Sequence, residues 1–146
     1  MTEMGEREVS LREHTADVAI EATAPTLDGL FAAAGDGLTA AMSESVPPVG
    51  ERFQLSAAAE SLESLLFEYL AELIYQRDVR EVLPCDHETT VRPPDEGVDH
   101  DWSVDASARG VPFGSVNARD VKAVTYSELS VAETASGWRA YVVLDV

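Results

Sequence analysis

Between Ser61 and Arg80, apolar side chains return at helical intervals. Leu62, Leu65, Leu66, Tyr69, Leu70, Leu73 and Ile74 stand at i, i+3, i+4, i+7, i+8, i+11 and i+12, one continuous face of a helix of about four turns. Glu63, Glu68, Glu72 and Gln76 fall on the other side. So wide a stripe must be buried, and the rest of the chain has to supply its cover.

The flanking segments supply strands and one more helix. Val9 to Thr23 reads as extended, with Val18, Ile20 and Ala22 alternating against Asp17, Ala19 and Glu21. Pro25 ends it, Thr26 is a candidate N-cap, and Leu27, Leu30, Phe31, Ala34, Leu38 and Met42 follow at helical spacing. Gly35 and Gly37 each cost that helix about 1 kcal/mol relative to Ala, so packing must hold it together. Arg52 to Ala58 is a short strand candidate. After Arg80, strands are predicted over about 81–92, 101–109, 118–133 and 138–146, with a Pro/Asp/Gly loop at 93–100, a turn or bulge at 110–117 and a hairpin turn at Gly137. The order is β-α-β-α-β-β-β-β. It predicts one α+β domain over residues 1–146, with residues 1–6 loose, a largely antiparallel sheet, and both helices packed on one face.

Charge narrows the function classes. Asp and Glu number 27 against 10 Lys and Arg, a formal net charge of −17. Such a surface repels phosphate backbones, which argues against nucleic-acid binding through basic contacts. Nine of the ten basic residues are Arg, and Lys122 is the single lysine. Acidic excess with scarce lysine suits a cytosol of molar salt, where the Debye length is about 3 Å; a halophilic source is the leading explanation, and a basic partner is the rival. No apolar run reaches the ~18 residues a membrane helix needs, and MTEMGEREVS lacks a signal-peptide pattern. Cys85 stands alone, so no intrachain disulfide forms. A cytoplasmic protein with no membrane association is expected.

Common enzymatic signatures are missing: the sequence has no GxGxxG, Walker A, GxSxG or HExxH. The spacing of His14, His87 and His100 does not support a metal triad, and a lone cysteine is more often inert packing than a nucleophile. With so many carboxylates, a catalytic acid pair cannot be chosen from composition.

Three segments stand out instead. Glu13-His14-Thr15-Ala16-Asp17 sets polar residues inside an apolar extended segment, where Asp17 either satisfies local backbone N–H groups or serves a site. In Lys122-Ala123-Val124-Thr125-Tyr126 the only lysine sits beside a strand, retained by chance or because a compact ammonium is needed. The last stretch, Arg139 to Val146, reads as a strand reaching the final residue, which puts the Asp145 side chain next to the Val146 α-carboxylate. Two such charges repel unless a cation lies between them. If Asp17 faces the same spot, the cluster is an all-oxygen site for Ca²⁺, Mg²⁺ or Mn²⁺; otherwise it is a solvated sheet edge.

These segments resemble the archease family. The matching stretches are His14-Thr15-Ala16-Asp17-Val18, Leu65 to Tyr75, Lys122 to Tyr126, and Val143-Leu144-Asp145-Val146, and together they span essentially the whole chain. Ser127 follows Tyr126 where the family usually has His, which leaves that imidazole's role in doubt here. Ala71 stands where the helix motif commonly has Asn. The resemblance implies a non-enzymatic accessory protein that activates the RtcB-type RNA ligase of tRNA splicing by promoting guanylylation of the ligase histidine and multiple turnover. It maps metal ligands onto Asp17, Asp145 and Val146, with Ca²⁺ as the leading ion, and further functional roles onto His14 and Lys122. The rivals are a metal-dependent phosphoesterase and a chaperone-like interaction module.

Overall fold

The structure is a computed structural model, and it describes residues 7–13, 17–96 and 98–146. The segment 1–6, expected to be loose, and His14 both lie outside the described residues.

The strands are β1 (Glu8–Glu13), β2 (Asp17–Ala24), β3 (Glu51–Ala59), β4 (Val82–Arg92), β5 (Trp102–Pro112), β6 (Ala123–Thr134) and β7 (Gly137–Asp145), and the helices are α1 (Leu27–Met42) and α2 (Leu62–Arg80). Helix α1 begins at its predicted cap, Thr26, and α2 is capped by Ser61. The Thr26 hydroxyl accepts the Gly29 N–H at 3.0 Å and the Ser61 hydroxyl accepts the Ser64 N–H at 3.1 Å, each satisfying an otherwise orphaned first-turn donor. Two readings are refined. The extended segment Val9 to Thr23 is an antiparallel pair, β1 with β2, because polar Glu13 to Asp17 interrupts the alternation. The strands also divide into two antiparallel sheets, ordered β1-β2-β7-β6 and β3-β5-β4.

Each sheet turns one face to the helices. Helix α1 packs on β2 and β4, and α2 on β3 and β6, so each helix bridges both sheets. Along β2 the inward residues Val18, Ile20, Ala22 and Ala24 are buried, as are Ala140, Val142 and Leu144 of β7. They meet Leu30, Phe31 and Leu38 of α1 and Leu65, Leu66, Tyr69, Leu70 and Leu73 of α2 in one core. At about 1.5–3 kcal/mol for each fully buried large apolar side chain, this core is the main source of stability.

The glycines of α1 explain themselves here. A Cβ on Gly35 would come within 2.7 Å of the His87 ring, and one on Gly37 within 2.6 Å of Ile20. Their lost helix propensity is exchanged for close approach of α1 to both sheets. In β4 the register shifts between Cys85 and Glu88, and that bulge turns His87, 2% exposed, inward against α1.

Candidate functional site

The outward face of the four-stranded sheet carries most of the segments singled out in the sequence. Asp17 opens β2 and Asp145 closes β7, and the two are directly paired across the antiparallel ladder. On the other side of β7, Asp145 pairs with Ala123 of β6. Directly opposed residues share a face of the sheet with Cβ atoms about 4.5–5.5 Å apart. Register therefore sets two carboxylates side by side at one end of the sheet, both half-buried, with Val146 next along the chain and 39% exposed.

Lys122 is held at the same end by its backbone. Its N–H donates to the Asp145 carbonyl at 2.8 Å, while the side chain lies exposed. The preceding residues are anchored to both helices. Arg119 donates its N–H to the Met42 carbonyl at 2.6 Å and its guanidinium to the Ala41 carbonyl at 2.8 Å, closing the last turn of α1. Val121 is fully buried, and its carbonyl accepts from the Arg77 guanidinium of α2 at 2.7 Å. Thus 118–122, read as strand from sequence, is a tethered connection, and β6 starts at Ala123.

The structure thus gathers Asp17, Asp145, Val146 and Lys122 at one end of one sheet. The donors available there are carboxylate oxygens, with no sulfur or imidazole among the described residues, the set that hard divalent cations prefer. Among the described residues no group of three or more His, Cys, Asp or Glu converges as a metal cluster; the acids paired at this edge are Asp17 and Asp145.

The other candidates separate from this edge. His87 is buried beneath β4, with Nε2 2.8 Å from Thr39 Oγ1. That hydroxyl also faces the carbonyls of Pro84 at 2.8 Å and Gly35 at 3.1 Å. The Thr39 hydroxyl has one proton for these three neighbours, and the ring tautomer sets which atom donates across the Thr39–His87 contact. Burial, then the Arg7 charge, pulls the His87 pKa down to about 3. It is a neutral core histidine. His100 is exposed in the short turn Val98–His100 and is not brought together with His87 in a metal-holding group. Cys85 is buried with its thiol pKa raised by burial, and its sulfur hydrogen-bonds to the Arg109 carbonyl at 3.3 Å, which is the inert packing expected of it.

Sequence reasoning assigned no role to Arg77 or to a stacked pair of rings, Phe67 on α2 and Tyr126 on β6, with centroids 4.0 Å apart and planes at 11°. The register of β6 on β7 shifts between Thr125 and Ser130, and this bulge lets Tyr126 lie over α2. Neither the bulge nor the stack leaves a mark on hydrophobic periodicity.

Fold and site define a small α+β protein whose two antiparallel sheets enclose a helix pair and whose outer sheet face ends in paired carboxylates. The sequence model of the Archease protein family (MTH1598/TM1083) matches residues 10–146. The chain is similar to the protein archease of Methanosarcina mazei, 32% identical over 138 residues covering 92% of each. It is also similar to the probable protein archease of Mycobacterium tuberculosis, 35% identical over 147 residues covering 99% of this chain and 76% of that one. The solution structure of Methanobacterium thermoautotrophicum protein 1598 superposes with a TM-score of 0.77 at 23% identity, covering 94% of this chain and 98% of that one, a likeness of fold alone. This chain belongs to the archease family.

Proposed function

We propose that this protein is an accessory activator of an RtcB-type RNA ligase, acting in the cytoplasm, and that the Asp17–Asp145 edge is the part it presents to the ligase active site. The observation that carries this reading is the direct pairing of Asp17 with Asp145. Residues directly opposed on a ladder carry their Cβ atoms about 4.5–5.5 Å apart, which sets the two aspartates within reach of one divalent ion. Asp17, Asp145 and Val146 would hold the divalent cation through oxygen atoms, with Ca²⁺ the leading choice and Mg²⁺ or Mn²⁺ sharing the same oxygen preference. An ion held by these residues would supply positive charge that favours guanylylation of the ligase histidine.

The chain's own residues do the positioning. The β2–β7 ladder orients the two carboxylates, and the Lys122 N–H fixes the Asp145 backbone. The exposed Lys122 ammonium stands where it can meet a phosphate or one of the acids. His14, three residues before Asp17 in the sequence, keeps the functional role that the family resemblance implies.

The test measures guanylylated ligase and ligated RNA under single and multiple turnover. Asp17→Ala, Asp145→Ala and a C-terminal extension are each expected to lower the stimulation at least about tenfold, the scale set by one lost charge-stabilising group. Unchanged stimulation by all three would end the proposal. A phosphoesterase would turn over phosphoesters with no ligase present. The Thermotoga maritima structure, with a TM-score of 0.59 at 18% identity, is described as an archease and possible chaperone; a chaperone role here would appear as suppressed aggregation independent of metal and GTP.

A further inference from the structure

We infer that the outward face of α2, continued by Tyr126, is a docking surface for an arginine-bearing segment of a partner protein. Phe67, Ala71, Tyr75 and Val79 recur at i, i+4, i+8 and i+12: Phe67, half-buried, packs against the edge of the core, Ala71 is half-buried, and Tyr75 and Val79 face away from it. Tyr75 is 59% exposed, Val79 60% and Tyr126 57%, and the Phe67–Tyr126 stack extends the stripe onto β6. A charged surface that only resists salt explains acids, yet it does not explain large apolar side chains left in water along one line. Two of the four tyrosines in the chain are exposed in this patch, and exposed aromatics are what protein interfaces concentrate at their centres.

Charge selects the occupant. Glu68 and Glu72 flank the stripe, and neither forms an ion pair among the described residues; Glu72 accepts only the Gln76 amide at 2.7 Å. Helix α2 has two basic residues and both are engaged: Arg77 is buried against the Val121 carbonyl, and the exposed Arg80 donates to the Gln76 side chain at 2.7 Å and lies over the Phe53 ring. The patch therefore offers aromatic faces beside unpaired carboxylates. A guanidinium matches both, since it stacks on a ring and donates two parallel N–H groups to a carboxylate, whereas a nucleic-acid phosphate is repelled. Tyr126 lies three residues along β6 from Ala123, the partner of Asp145, a distance of about 10 Å. A protein seated on α2 thus has the carboxylate edge within reach, and this deepens the activator reading, on which the identity of the partner as the ligase rests.

Two measurements separate the inference from that reading. In the first, amide NMR follows titration with a helical peptide carrying arginines along one face, and with its lysine counterpart. Shifts at Phe67, Glu68, Glu72, Tyr75 and Tyr126 are expected. Tyr126→Ser or Glu68→Lys should weaken binding at least about tenfold, and the lysine peptide should bind more weakly; the charge-matched control Glu96→Lys, in the loop between β4 and β5, should have little effect. Shifts spread over other acids, or equal loss with Glu96→Lys, overturn the inference. In the second, hydrogen exchange is read on the complex with the RtcB-type ligase. Protection on α2 and at Tyr126, retained in Asp17→Ala, supports docking here. Binding with protection elsewhere overturns the inference and leaves the activator reading intact. Failure of the ligase to bind overturns the activator reading, and the peptide titration then decides the inference alone.

Discussion

Single residues in this protein are explained by what their neighbours require. His87 is the sharpest case, because its ring fills the notch that Gly35 leaves in α1. Gly35→Ala would raise helix propensity by about 1 kcal/mol, yet its Cβ would meet the ring at 2.7 Å. Overpacking of that kind costs about 1–3 kcal/mol, so thermal denaturation should show a net loss of stability. Protonation strains the same contact. The histidine pKa falls from 6.5 to about 3 on folding, so the unfolded chain binds the proton more readily. The stabilisation is complete above pH 6.5 and is lost progressively as pH falls toward 3. Between pH 6.5 and 5, wild type should lose stability with a slope approaching about 1.4 kcal/mol per pH unit, and His87→Leu should not show that component in urea titrations. The Asp36 carboxyl, raised by burial despite its 2.9 Å contact with Arg7, is present in both proteins and drops out of the difference.

At the scale of elements, the legible features were those written in a period. The stripe from Leu62 to Ile74, the cap Thr26 and the turn at Gly137 mark α2, α1 and the last hairpin in the sequence itself. The division into two sheets was not legible, because strand alternation tells which face is inward and not which strand is the neighbour. Bulges were equally silent: those in β4 and β6 place His87 and Tyr126 by inserting residues that keep an ordinary sequence pattern. The carboxylate edge was partly legible, since Asp17 and Asp145 stood out, while their register depends on a pairing between the two ends of the chain. The connection before β6 depends on Arg77, whose guanidinium holds the Val121 carbonyl. Arg77→Met should leave that buried carbonyl unsatisfied and cost about 1–3 kcal/mol. It should also speed hydrogen exchange at the Lys122 amide, which bonds to Asp145.

For the whole molecule, the dominant quantity is charge. A net −17 is spread over 7713 Å² of accessible surface, and among the described residues the ion pairs are few and mostly solvent-exposed. Exposed pairs contribute little individually, commonly 0 to about 1 kcal/mol, so repulsion among unpaired acids is offset chiefly by the core. Screening should therefore stabilise the fold: the denaturation midpoint is expected to rise as potassium chloride goes from millimolar to molar, by calorimetry, and a flat or falling midpoint would refute it. Among the described residues no helix is long and apolar enough to cross a membrane.

As proposed, β2 and β7 build one cation-holding edge from Asp17 and Asp145, and manganese titration read by amide NMR locates an ion held there. Paramagnetic broadening should begin at Asp17, Lys122, Asp145 and Val146 at low manganese, and it should disappear from those amides in Asp17→Asn with Asp145→Asn. Broadening that starts elsewhere on the acidic surface, or that survives the double substitution unchanged, would contradict the account.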